Sequence, residues 1–243
     1  MSYKDSTNQV IKEYYQEHGL DATIALCWAM LEAKKHSKDS SFYTDVNGEI
    51  CETVLEIIIE QYILDNGLSS EGWFYKKGLI IKEPGSIGDY YTELDVTVFT
   101  PQKIFIFECK SYSGDKKITD TCTIHRAKGN DCDVFSQNYK HANALAKQFA
   151  AFRTNKGVEE APYQLVLFNF SKGSVDDTRP ALSQVMMPCL DDRNVTNIFD
   201  YYRDSPVIWR IDKVRQAAEI IAKHSDANRS KHLDYVKSLH GKK

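Results

Sequence analysis

Long apolar runs are missing from this chain of 243 residues. Its most apolar stretch, Ala22 to Leu31, is about half of the roughly 20 residues a bilayer span needs. Proline (6) and glycine (12) are sparse, which excludes collagen-like and linker-rich architectures. No repeat or low-complexity segment interrupts the chain. A large charge excess is also absent: the formal net charge is −3, too small to define a partner. The opening MSYKDSTNQV is polar and lacks the apolar core of a signal peptide. The six cysteines stand at irregular spacings, in a chain long enough to fold without a disulfide framework. Cys122-x-x-His125 followed by Cys132 falls short of the four ligands of a zinc site, so free, mostly buried thiols are expected. A reduced cytoplasmic setting follows as the expectation.

What is present is an ordinary globular balance, 42% hydrophobic and 27% charged residues, enough for a substantial core. Charge is uneven along it. Residues 204–243 carry nine Lys/Arg and five Asp/Glu, net +4, leaving −7 on the rest. Such a basic tail could follow a phosphate backbone or form a solvated helix face.

Periodicity divides the chain. Residues 8–36 read as helix with a break near Gly19, 36–47 as a polar loop, and Gly48 to Leu64 as helix ended by Asn66-Gly67. Trp73–Ile81, Thr92–Thr100 and Lys103–Lys110 read as strands. Gly85-Ser86-Ile87-Gly88 lacks the Lys-Ser/Thr of a Walker loop and reads as a flexible connection. Phe135–Phe152 is helical, Tyr163–Phe170 a buried strand, and helices follow near 195–203, 211–223 and 226–240. This order predicts an α/β fold, a mixed sheet flanked by helices.

Chemistry concentrates in YYTELDVTVFTPQKIFIFECKS, residues 90–111. Alternation puts Leu94, Val96 and Val98 on one face of the first strand and Glu93, Asp95, Thr97 and Phe99 on the other. In the next strand Phe105, Phe107 and Cys109 oppose Ile104, Ile106, Glu108 and Lys110. With Pro101-Gln102 as the tip of a hairpin, Asp95 faces Glu108 and Glu93 faces Lys110. Facing carboxylates repel unless a proton or cation lies between them. An edge hairpin with cross-strand salt bridges would accommodate them in solvent. Burial beside the IFIF run instead suits a divalent-cation site with Lys110 beside it.

Glu93-Leu94-Asp95, the hairpin and Glu108-Cys109-Lys110 together resemble the PD-(D/E)xK nuclease core. More narrowly, Gly48-Glu49-Ile50-Cys51-Glu52, Leu94-Asp95, Glu108-Cys109-Lys110 and Ser111-Tyr112-Ser113-Gly114, in that order, resemble the nuclease-related NERD-type branch over about residues 48–170. The resemblance implies a restriction-endonuclease-like fold and a Mg²⁺-dependent endonuclease (Mn²⁺ substituting) that hydrolyses phosphodiester bonds of DNA, with RNA as the second substrate. Asp95 and Glu108 would be metal ligands with the carbonyl of Cys109. Glu52 is the helix acid of the motif, binding metal directly or through water. Lys110 would act on the attacking water, and Gln137 matches the family's auxiliary amide.

On the helix from Gly48, Glu49, Glu56 and Glu60 read as a solvent face, whereas Glu52 lies at the seam with the apolar flank. On the helix 135–152 an apolar stripe of Phe135, Tyr139, Ala142, Leu145, Phe149 and Phe152 has Gln137 and His141 beside it. A surface His is more often structural or solvated, so His141 stays outside the catalytic set. Lys140 and Lys147 could meet a nucleic-acid backbone or simply solvent. Tyr75, Lys76, Lys77, Tyr90 and Tyr91 place rings and cations near the site.

The expected organisation is a helical extension (1–40), a nuclease-like core (41–190) and a C-terminal helical region (191–243). The helical ends offer surface for a homodimer or a partner protein. The rival reading is a non-catalytic nucleic-acid-binding or scaffold protein, or a nuclease subunit working with a partner chain.

Overall fold

The computed structural model describes residues 3–33, 40–84, 89–127, 129–154 and 161–240. It is a mixed α/β fold, as expected, but with two sheets. The larger sheet has the order β1-β2-β3-β7-β9, built from β1 (Phe74–Pro84), β2 (Asp89–Phe99), β3 (Ile104–Lys110), β7 (Tyr163–Asn169) and β9 (Cys189–Leu190). β1, β2 and β3 pair antiparallel, whereas β3 with β7 and β7 with β9 are parallel. The smaller sheet, absent from the sequence expectations, has the order β6-β5-β4-β8: β4 (Lys116–Thr119), β5 (Thr123–Arg126), β6 (Cys132–Asp133) and β8 (Val175–Asp177). Its strands have two to four residues, too short to establish a period.

Helices cover both faces of the larger sheet. On one side α1 (Tyr3–Ala33), α2 (Ser40–Asp65) and α5 (Asn197–Arg203) pack with Val96, Val98, Phe105, Phe107 and Phe168. On the other, α3 (Val134–Phe149) and α6 (Ile211–His240) pack with Phe99, Ile104, Ile106 and Leu167. A short α4 (Ala181–Met186) precedes β9. Each large side chain so buried contributes roughly 1.5–3 kcal/mol. Among the described residues no helix is long and apolar enough to cross a membrane.

Helix boundaries correct the sequence reading at two places. Gly19 does break α1, at φ 78°. The expected loop 36–47 is already helical from Ser40, because buried Val46 prolongs the Ile50–Val54 stripe by one turn. Residues 36–39 of that loop, the last residues of the expected helix 8–36, and the Gly85–Gly88 connection lie outside the described residues. The two expected C-terminal helices are one. Buried Ser225 gives its hydroxyl hydrogen to Ile221 O (2.8 Å) and accepts the Ile80 N–H (2.8 Å), so it joins helix to sheet instead of starting a new helix.

The hairpin register is the expected one, from Phe99 opposite Ile104 to Val96 opposite Phe107. Thr100 Oγ1 accepts the N–H groups of Gln102 (3.2 Å) and Lys103 (2.9 Å), fixing the turn around Pro101. Face alternation, however, breaks at the Gly78–Asp95 level. Tyr75, Val96 and Val98 pack on the α1/α2 side, whereas Leu79, Ile81 and Leu94 pack on the α3/α6 side. Leu94 therefore does not share a face with Val96. The cause is backbone geometry: Gly78 has φ 63°, a left-handed value that side chains disfavour and that reverses the strand's alternation. Asp95 stands opposite this reversal.

Candidate active site

β2 and β3 part beyond Val96–Phe107, so Asp95 and Glu108 do not form the ladder pair expected of them. Instead an Asp95 carboxylate oxygen accepts the Cys109 N–H at 2.8 Å. Within a strand, N–H and C=O of one residue point to the same side. The Cys109 carbonyl is thus directed toward the opening between β2 and β3, whereas Lys110 O faces β7 and accepts the Phe170 N–H at 3.1 Å. Cys109's own side chain lies in the α1/α2-side core with Cys51, whose thiol donates to Lys110 O at 3.6 Å. Burial, then the Cys51 thiol, pushes the Cys109 thiol well above its ordinary range, so it is inert packing.

Glu108 is 1% exposed. One oxygen accepts from Lys110 Nζ at 2.6 Å. The other, Oε2, lies 3.4 Å from His141 Nδ1, and neither atom has a hydrogen-bond partner. Lys110 Nζ also reaches Gln137 Oε1 at 3.4 Å, so α3 supplies the expected amide. Burial opposes the Lys110 ammonium, but Glu108 and Asp95 outweigh it and hold its pKa above the ordinary value. It is a fixed cation at neutral pH.

Too much negative charge collects here. Burial first, then Glu108, raises Asp95 to about 7. Burial also raises Glu108 despite Lys110. From α2, Glu52 is pushed well above the carboxylate range by burial and then by Asp95; its cation, Lys77, is 3.8 Å away and shared with Glu49 at 2.5 Å. The seam position of Glu52 thus faces the strand acids. Its neighbours correct the solvent-face reading: Glu49 also accepts from Asn8 (2.9 Å), Glu56 is buried against Lys12 (2.7 Å), and Glu60 accepts from Tyr75 (3.4 Å). α1 covers what an isolated wheel leaves open.

One further correction concerns Glu93. It meets not Lys110 but Arg229 (3.3 Å) and His232 (3.2 Å) of α6. Two site residues escaped the sequence reading. His141 is buried rather than on the surface, and burial lowers its pKa to about 4, leaving a neutral imidazole against Glu108. Its spacing of four from Gln137 on one helical face was the available signal. α3's buried face runs through Val134, Asn138, His141, Leu145 and Phe149, about one position from the expected stripe; Tyr139 is 52% exposed. Lys77, noticed only as a basic neighbour, is the cation of the helix acids.

Two carboxylates, an unsatisfied buried carboxylate oxygen and an inward carbonyl fit a hard divalent cation, which takes oxygen ligands and retains waters. Among the described residues no three His, Cys, Asp or Glu side chains form a metal cage by themselves, so carbonyl and water oxygens would complete such a shell. His125 is engaged by Thr119 (2.8 Å) and Asp131 (2.8 Å).

An α/β domain with buried acids and a lysine where two antiparallel strands part is the type of scaffold on which nucleases are built. Comparison with family models makes the class specific. Residues 52–169 match the family model of the nuclease-related domain, NERD, in agreement with the resemblance read from the sequence. All of the proposed site residues fall within that span. No curated protein gave a match. Among solved structures, protein VC1899 from Vibrio cholerae aligns at 14% identity and a TM-score of 0.40, over 82% of this chain and 50% of the other.

Proposed function

We propose that the protein is a metal-dependent nuclease that hydrolyses phosphodiester bonds, DNA being the first substrate to test and RNA the second. The observation that carries this reading is the buried, half-satisfied Glu108 beside Asp95, with Lys110 held as an ammonium between Glu108 and Gln137. Structural burial would have satisfied or removed that charge.

In this reading Asp95, Glu108 and the Cys109 carbonyl hold Mg²⁺ or Mn²⁺, with Glu52 reaching it directly or through water. When bound, the cation supplies Lewis-acid polarisation of the phosphate and lowers the pKa of water. The chain's own groups do the rest. Lys110, a cation rather than a base, donates to the attacking water or to the charge developing on the phosphoryl oxygens. Gln137 Oε1 fixes the ammonium's direction, and neutral His141 closes the site behind Glu108. Water adds to phosphorus and gives up a proton to solvent, the P–O bond to one sugar breaks, and the leaving oxygen takes up a proton from solvent.

The test is cleavage of single- and double-stranded DNA and RNA with Mg²⁺ and with EDTA, comparing wild type with Lys110→Ala. Metal-dependent cutting by wild type that Lys110→Ala lacks is the expected result. Cutting that persists in Lys110→Ala would take the activity away from this site, and nucleic-acid binding that is indifferent to EDTA, without cleavage, would replace the enzyme reading with that of a binding protein.

A further inference from the structure

α6 lies outside the family-matched span, yet it reaches the site. The stripe it turns toward the sheet begins apolar, with Val214, Ala218 and Ile221. It passes through buried Ser225, which holds the backbone of β1. It then becomes polar: Arg229 and His232 follow at helical spacing of four and three. A stripe that packs on a sheet is ordinarily apolar throughout. Here its polar end lies over Glu93, two residues from Asp95, and close enough to the centre for Glu93 and His232 to act electrostatically on His141.

Three observations make this more than a surface ion pair. Glu93 is contacted by both side chains, Arg229 Nη1 at 3.3 Å and His232 Nε2 at 3.2 Å. His232 is 13% exposed in its side chain, and its Nδ1 is buried with no hydrogen-bond partner. Gly78, the residue of reversed alternation, lies directly beside the pair: a Cβ there would be in ordinary contact with Arg229 Nη2 at 3.4 Å and Glu93 Oε1 at 3.6 Å. The backbone reversal that sets Asp95 apart thus lies against the Arg229–Glu93 contact.

We propose that Arg229 and His232 are substrate-positioning residues that bind a phosphate of the nucleic-acid strand flanking the one cleaved, with Glu93 holding them in place when the strand is absent. The proposal rests on the nuclease reading. Guanidinium donors in a fork and an imidazole N–H suit a phosphate's oxygens as they suit a carboxylate's. A phosphodiester entering from the solvent side of Arg229, which is 52% exposed in its side chain, would share or replace the contact with Glu93. The basic C-terminal stretch would then bind the strand through two particular side chains next to the acids rather than through diffuse charge.

The experiment measures binding of a phosphorothioate-protected oligonucleotide, in EDTA so that nothing is cut, across a range of salt, and cleavage kinetics of the unprotected strand with Mg²⁺. Arg229→Gln and His232→Gln are compared with Glu93→Gln and wild type, each checked for folding by circular dichroism. Expected for Arg229→Gln are binding several-fold weaker and a log–log salt slope smaller by about 1, as for loss of one phosphate contact. In kinetics KM rises while kcat holds. Glu93→Gln, which frees the pair, binds as tightly as wild type or more tightly. If wild type cuts while Arg229→Gln and His232→Gln keep its KM and salt slope, the proposal fails and the nuclease reading stands. If Glu93→Gln weakens binding as much as Arg229→Gln, the trio is structural and the proposal fails again. If wild type neither binds nor cuts nucleic acid, both fall together.

Discussion

Two buried charged clusters lie at opposite ends of the fold's regularity. Where the small sheet meets α4, Arg179 is fully enclosed, with 0% side-chain exposure. Every face of its guanidinium is engaged: Nε and Nη2 bond Asp177 at 2.8 and 2.7 Å, and Nη1 bonds Thr121 O at 2.9 Å and Met187 O at 2.7 Å. Where β2 and β3 part, Glu52, Asp95 and Glu108 share Lys77 and Lys110, and one Glu108 oxygen goes without a partner. Both clusters cost desolvation. Only the first is fully offset by partners among the described residues. A buried charge whose valences are closed serves the fold, whereas the one left short of positive charge is where the proposed cation would complete the balance.

The largest expected effect separates the clusters by activity. Asp95→Asn should lower cleavage by about 10³-fold, roughly 4 kcal/mol of barrier. The same change removes a charge the fold resists, so the thermal midpoint should hold or rise. A marked drop in melting temperature would return Asp95 to the structural class. Next comes Arg179→Met, which strands Asp177 and several carbonyls; urea unfolding should show a loss of about 3–5 kcal/mol. Soluble, folded and unaltered stability in that variant would erase the contrast.

Smaller is the effect of metal. Mg²⁺ at 100 times its dissociation constant should stabilise the wild type by about 2.7 kcal/mol in thermal unfolding, reversed by EDTA and absent in Asp95→Asn. An equal shift in both would place the cation elsewhere. Smallest is the pH signature, and its sign differs between the clusters. Asp95 in the fold titrates near 7, above its ordinary 3.8, so its contribution is fully present below 3.8 and is lost as pH rises toward 7. Asp177 is desolvated too, but its bonds to Arg179 pull it below 3.8. Its contribution is present above 3.8 and is lost as pH falls through the folded value. Denaturation midpoints against pH, for wild type, Asp95→Asn and Asp177→Asn, should separate the two slopes.

Glu108 and Lys110 were legible because a period-two strand fixes their common face whatever surrounds it, and β3 keeps that period throughout. Asp95 was legible as an acid opposite that strand. Its actual partner, the Cys109 N–H, was not, because the ladder opens one residue earlier than the register alone implies. Glu93 was misplaced for a related reason: Gly78 reverses the alternation of β1 and β2, and α6, well over a hundred residues downstream, provides its partners. His141 looked like a surface histidine because helical spacing gives a flank but not what packs on it.

By itself the sequence determined the alternation of helix and strand, the hairpin register and the residues that could do chemistry, since these depend on neighbours within a few positions. Tertiary structure alone decided which acids stay charged together and which cations answer them. Coulomb energy in a buried site depends on distance and desolvation, and both are set by segments that meet only after the chain has folded.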